Sequence, residues 1–102
     1  MSGAAASRVL VVAEHDGRTL NPSTAKCVTC AQAVPQAEIS VVVLAADAAA
    51  IAPQAARLRH VHRVLTVESA VNAHPLAAVL APQIAAVAAG YTHVLGPSTT
   101  FG

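Results

Sequence analysis

Arg8-Val-Leu-Val-Val-Ala-Glu-His-Asp-Gly-Arg-Thr-Leu-Asn-Pro-Ser-Thr24 decides how the chain is read. Its first seven residues, Arg8 to Glu14, centre on Val9-Leu-Val-Val12, an unbroken apolar run within a segment of strand length. A strand with water on one face alternates polar and apolar residues. A continuous run instead indicates a parallel strand covered on both faces. His15-Asp16-Gly17-Arg18 follows as a polar turn around Gly17. Asn21 then offers a capping side chain, and Pro22 suits the first helical position, where no backbone N–H is needed. The helix is expected to run through Ala33 or Val34 and to end before Pro35.

The same alternation continues outward. Ile39 to Ala45 reads as a second strand, and Asp47 as the N-cap of a helix over Ala48 to Leu58, shortened or kinked by Pro53. Val61 to Val67 reads as a third strand and Glu68 to Ala73 as a loop. His74-Pro75-Leu76 opens another helix, whose core stripe is Leu76, Val79, Leu80, Ile84 and Val87. Pro82 interrupts that stripe and Gly90 ends it. Tyr91 to Leu95 reads as a fourth, buried strand, and Gly96 to Gly102 as a loop with successive hydroxyls at Ser98, Thr99 and Thr100.

The order β-α-β-α-β-α-β predicts an α/β fold, a three-layer doubly wound parallel sheet of nucleotide-binding type. The sheet is expected to be incomplete, because a hydroxyl-rich loop after a strand normally caps a covering helix. Residues 1–7 read as a disordered lead-in, and residues 8–102 as the front of an α/β domain interrupted before its next helix.

Composition narrows the function classes. Apolar residues make up 55% of the 102, enough for one core, but Tyr91 and Phe101 are the only aromatics. The core must therefore be built from Ala, Val, Leu and Ile. A net charge of +1 argues against electrostatic binding to nucleic acid or to a membrane surface. No run reaches the ~18 apolar residues of a membrane span. The N-terminus shows neither a secretory signal nor a transit peptide, so a soluble protein is expected.

Ligands of doubly wound sheets sit beyond the carboxyl ends of the strands. Those positions are Glu14, His15 and Asp16, then Asp47, then Glu68, then Pro97 to Thr100. Ser98, Thr99 and Thr100 offer donors to a phosphate, but capping is the preferred reading. Gly96 and Gly102 do not have Walker spacing, and no Lys follows. Neither a Gly-x-Gly-x-x-Gly turn after the first strand nor a Gly-x-Ser-x-Gly elbow is present. Cys27-Val-Thr-Cys30 matches Cys-x-x-Cys, yet it lies beyond the first helical turn, where the dipole would activate a thiol. No second such pair completes a zinc site. Packing is the preferred role for both cysteines. Arg57-Leu-Arg-His-Val-His-Arg63 is a basic cluster that reads as a solvated helix end, with an anion or metal site at His60 and His62 as the alternative. His74 and His93 read as a cap and as a buried or edge residue. No nucleophile, base and orienter can be assigned.

Several stretches nevertheless resemble a known family. Val9 to Lys26 is similar to the opening of electron transfer flavoprotein α subunits. Arg63-Val-Leu-Thr66, Ala73-His-Pro-Leu-Ala77 and Gly90-Tyr-Thr-His-Val-Leu-Gly-Pro-Ser-Thr-Thr-Phe-Gly102 match further along, in the same order. The resemblance implies an N-terminal domain portion of a heterodimeric electron carrier. In that family the α subunit pairs with a β subunit, and FAD is held mainly by the C-terminal domain of α and AMP by β. Electrons pass from acyl-CoA dehydrogenases of fatty acid β-oxidation, and from other dehydrogenases, to a membrane quinone oxidoreductase. The portion present is then a scaffold and interaction domain, not an enzyme, with no catalytic, cofactor-binding or metal residue of its own. A cytoplasmic location in bacteria, or a mitochondrial matrix location in eukaryotes, is implied. Cys27 and Cys30 stand where small residues such as Ala are common in the family. The alternative is a small adenine-nucleotide-binding module similar to universal stress proteins.

Overall fold

A computed structural model describes residues 7–73 and 77–96. Four strands, β1 (Ser7–Val12), β2 (Ala37–Ala45), β3 (Val61–Glu68) and β4 (His93–Leu95), alternate with helices α1 (Pro22–Ala31), α2 (Ala52–Ala56) and α3 (Ala77–Ala88). All pairings are parallel and the sheet order is β3-β2-β1-β4. The chain steps outward from β1 to β3, then crosses back to place β4 on the other side of β1. This is a three-layer, doubly wound, Rossmann-like sheet, as the alternation predicts.

The unbroken apolar runs have a direct structural cause. Val9, Val11, Ile39, Val41, Val43 and Ala45 face α1 and α2, where they pack with Val28, Ala31, Ile51 and Ala55. Leu10, Val12, Val42 and Leu44 face the opposite way and pack with Leu80, Ile84 and Val87 of α3. Each central strand thus buries both of its faces, so neither carries polar alternation. In α1 the buried residues Thr24, Val28 and Ala31 recur at i, i+4 and i+7, one helical stripe.

Asn21 caps α1 as expected, its side chain accepting from the Ser23 N–H at 2.9 Å. The helix ends sooner than predicted, at Ala31. The second helix differs more. In place of Ala48 to Leu58 it spans only Ala52–Ala56, and Pro53 lies in its first turn instead of kinking it. A proline needs no N–H partner there, whereas an earlier start would leave it inside the helix. Asp47 still accepts from the Ala49 N–H at 2.9 Å, holding the turn ahead of the helix. Glu68 closes β3 rather than opening a loop, and Ala70–Ala73 form a 3₁₀ turn. Helix α3 continues through Pro82.

The fourth strand is short and half open, not buried. His93 is exposed, Val94 is 46% exposed, and both lie on β4, one of the two edge strands of the described sheet. Arg8 holds that strand in place. Its guanidinium donates to the Gly90 carbonyl at 2.9 Å and lies 4.7 Å from the centre of the Tyr91 ring. Its backbone N–H donates to Thr92 Oγ1 at 2.9 Å, and its carbonyl accepts from the Thr92 N–H at 2.8 Å. Ser7, expected in the disordered lead-in, already pairs in β1 opposite Ala37. Residues 1–6, the His74-Pro75-Leu76 helix start and the Pro97 to Gly102 loop, with Ser98, Thr99 and Thr100, lie outside the described residues.

Among the described residues, one buried side-chain polar atom, Ser40 Oγ, has no hydrogen-bond partner. Ser40, fully buried in β2, faces the α3 layer beside Leu10. A buried hydroxyl without a partner costs about 1–3 kcal/mol of desolvation. Ser40→Ala removes that cost and opens only a small void. Urea unfolding followed by circular dichroism should show stability unchanged or raised by up to about 1 kcal/mol. A clear loss would show that the hydroxyl has a partner after all.

Candidate functional site

The carboxyl ends of β1, β2 and β3 enclose a crevice of about 320 Å³, lined by His15, Asp16, Gly17, Ala45, Ala46, Asp47 and Asn72. It lies at the carboxyl end of the sheet, the end where the fold class puts ligands, but beside β2 and β3 rather than at the switch point between β1 and β4. Three of its walls are fixed by hydrogen bonds.

The first wall is the loop between β1 and α1. His15 Nδ1 accepts from the Gly17 N–H at 3.0 Å, so Nε2 carries the proton and donates to the Leu44 carbonyl at 2.9 Å. Both ring nitrogens are therefore engaged. Asp16 Oδ1 accepts from the N–H groups of Thr19 at 2.7 Å and Arg18 at 2.8 Å. Gly17 has φ of +92°, a left-handed conformation that a Cβ disfavours. Gln54 of α2 reaches across, accepting from the Leu20 N–H at 2.9 Å and donating to the Arg18 carbonyl at 2.8 Å. Below the loop, buried Thr24 accepts from the Glu14 N–H at 3.0 Å, and Ser23 donates to the Glu14 carboxylate at 2.8 Å.

The second wall follows β2. Asp47 holds its own turn, and Glu68 Oε2 accepts from the Ala48 N–H at 2.8 Å, so the end of β3 fixes the exit of β2. The third wall is Asn72, buried in the 3₁₀ turn. Its side chain forms a reciprocal amide pair with Gln83 of α3, at 3.0 and 2.7 Å, and also donates to the Val67 carbonyl at 3.2 Å.

The bonds to Thr19 and then to Arg18 hold the Asp16 carboxyl below its ordinary 3.8. The folded chain thus favours the charged form. The stabilisation this gives is complete above the unfolded pKa and is lost as pH falls through the lower, folded value. The loop should therefore loosen only under strong acid. Amide exchange of Arg18 and Thr19 should rise as pH drops below about 4, after correction for intrinsic rates. Asp16→Asn should show faster exchange already at neutral pH and little further acid sensitivity. An unchanged pH response in that variant would remove Asp16 as the cause.

The structure thus brings together His15, Asp16 and Asp47 from the set expected at the strand ends, and uses Glu14 and Glu68 as braces beside them. Asn72 was not foreseen. Its only sequence signal is a lone amide within Ala70-Val-Asn-Ala73, and what buries it is the distant Gln83. In the basic cluster His60 and His62 line one surface crevice with Gln32 and Ile39, and among the described residues no third ligand joins them. A bulge between β2 and β3 sets Ile39 opposite Val61 but Ser40 opposite Arg63, leaving His62 as the extra residue. His62 Nδ1 then accepts from the Ile39 N–H at 3.2 Å. His60 lies outside the strand with φ of +70°. His93 Nδ1 lies 2.8 Å from Thr92 Oγ1 on the open strand. Cys27 packs partly against the core as expected, whereas Cys30 is exposed, which corrects the packing role expected for it. The Ala31 stripe turns Cys30 outward. Among the described residues no group of three or more His, Cys, Asp or Glu is placed to hold a metal ion.

The electrostatics of the crevice are acidic. Glu14, Asp16, Asp47 and Glu68, four of the five carboxylate side chains, gather at this end of the sheet. A dinucleotide diphosphate needs converging N–H donors or cations. Here the loop N–H groups of Gly17, Arg18 and Thr19 are already bonded to His15 and Asp16. The described crevice does not fit the diphosphate of a flavin dinucleotide.

Fold and site together define a doubly wound domain without a diphosphate cradle among its described residues. Residues 9–102 match the family model described as the electron transfer flavoprotein domain. The electron transfer flavoprotein subunit alpha of Pseudomonas aeruginosa is 39% identical over 94 residues, covering 92% of this chain and 30% of the relative. The subunit alpha of Paracoccus denitrificans is 36% identical over 93 residues, covering 90% and 30%. The mitochondrial subunit alpha of Oryza sativa subsp. indica is 36% identical over 100 residues, covering 91% and 28%. The chain belongs to the electron transfer flavoprotein domain family, and its likeness is to α subunits. It spans about 30% of the length of these curated relatives. Among the described residues, no helix is long and apolar enough to cross a membrane.

Proposed function

We propose that this chain is the N-terminal scaffold of an electron transfer flavoprotein α subunit, and that it supports a flavin without binding it. The observation that carries this reading is the family match over residues 9–102, on a sheet whose ligand-side crevice is acidic. In this reading FAD is held by the C-terminal domain of the α subunit. AMP is held by a β subunit with which α forms a heterodimer. The assembly accepts electrons from acyl-CoA and other dehydrogenases and delivers them to a membrane quinone oxidoreductase. The chain supplies no catalytic group, and the redox chemistry belongs to the isoalloxazine. Its setting is the bacterial cytoplasm or, in a eukaryote, the mitochondrial matrix.

The test is direct. The purified 102-residue chain is titrated with FAD and followed by absorbance and by flavin fluorescence quenching, with AMP titrated in parallel by calorimetry. The expected result is no saturable binding of either at micromolar concentration. Stoichiometric FAD binding would overturn the scaffold reading. Micromolar AMP binding would favour the free-standing nucleotide module instead.

A further inference from the structure

Cys27 and Cys30 both lie on α1, away from the crevice. They lie three residues apart on α1, so one helical turn brings both thiols to the same side. Both are free. Cys30 is exposed, and Cys27 is half-buried at the edge of the core beside it. Burial pushes the Cys27 thiol up, and the neighbouring Cys30 pushes it further in the same direction, with Glu14 adding to the effect.

The helix decides which bridge fits. Side chains at i and i+3 have Cβ atoms about 5–6 Å apart. A disulfide requires about 3.5–4.5 Å, so a direct S–S bond would distort α1. One large atom inserted between the sulfurs removes that conflict. Since the described residues supply no third ligand, a four-coordinate zinc ion is not satisfied either. The bridging atom must be soft, thiophilic and content with two protein sulfurs.

We propose that Cys27 and Cys30 form a dithiol site on α1 that chelates a trivalent organoarsenical. For an arsine oxide R–As=O, two As–S bonds form and the As=O bond breaks. The two thiol protons leave with that oxygen as one water molecule. Arsenic remains trivalent and no electron is transferred, so no oxidant or reductant is needed. Each of the two thiols contributes one of the protons that leave in that water.

The test uses the 102-residue chain with phenylarsine oxide, read by intact-mass spectrometry, with circular dichroism confirming that the chain stays folded. One arsenical per chain is expected, with loss of one water. The adduct should survive excess monothiol and be released by 2,3-dimercaptopropanol. Because the second As–S bond forms intramolecularly, retention should exceed that of a single-thiol variant by about a hundredfold or more. Cys30→Ser, an exposed change that spares the fold, should lose the monothiol-resistant adduct. The double variant Thr29→Cys with Cys30→Ser keeps two thiols but turns one to another side of α1, and should lose it too. A wild-type adduct stripped by monothiol as readily as that of Cys30→Ser would overturn the proposal. So would full retention in the double variant, two arsenicals per chain, or an adduct formed only with loss of the folded spectrum.

Discussion

Replacing Leu10 with Ala is expected to lower the unfolding free energy by about 3 kcal/mol, within the ~2–5 kcal/mol usual for a buried Leu. Leu10 is fully buried in β1, at the centre of the layer that packs beneath α3. By register its neighbours are Ser40 on β2 and Val94 on β4. Neither can refill the space: Ser40 is short, and Val94 already turns partly to solvent. The cavity therefore stays open, and its full cost adds to the lost transfer energy. A small domain is stable by only about 5–15 kcal/mol, so the loss is a large share of the margin. Urea unfolding of both chains, followed by far-ultraviolet circular dichroism, measures it. Val94→Ala is the control, with under about 1 kcal/mol expected because Val94 is 46% exposed. Equal losses at the two positions would show that β4 is buried in solution. Combining Leu10→Ala with Ser40→Ala should depart from additivity, since the two side chains are neighbours.

Asn72→Ala is the second large effect, about 2 kcal/mol. The side chain is 3% exposed and joins three elements: the end of β3 through the Val67 carbonyl, its own 3₁₀ turn, and α3 through Gln83. Truncation leaves the Gln83 amide and the Val67 carbonyl without this partner in a part-buried setting, and unmade bonds of that kind cost more than formed ones contribute. A double-mutant cycle with Gln83→Ala separates the pair from its surroundings. A coupling of about 1–2 kcal/mol is expected. Coupling near zero would mean that the two amides are solvated independently, and that the crevice wall is held by the turn alone.

The difference between what was legible and what was not follows physical lines. The strand at Val9-Leu-Val-Val12 and the cap and start of α1 at Asn21-Pro22 are written in local chemistry, because side-chain pattern, capping groups and proline act within a few residues. The early end of α1 was not legible, since Pro35 sets only an outer limit. Pro53 made a shortened or kinked α2 legible, but not where that helix begins. Both Asp47 and Pro53 are valid helix starts, and packing of Ile51 and Ala55 against the sheet decides between them. The bulge that consumes His62 and the pairing of Asn72 with Gln83 needed strands and helices in place. They are contacts across 23 and 11 residues that no local pattern encodes.

Arg8 to Thr24 therefore determined, by itself, a covered parallel strand, a polar turn and a capped helix, and with the alternation that follows it determined the doubly wound class. Tertiary structure decided the rest: that β4 lies beside β1 at an edge of the described sheet, that the crevice forms among the ends of β1, β2 and β3, and that Asn72 walls it. The reason is that local pattern and the alternating order already put Asp16, Asp47 and Glu68 at the carboxyl ends of parallel strands, whereas strand order and the pairing of Asn72 with Gln83 depend on contacts between elements that only packing brings together.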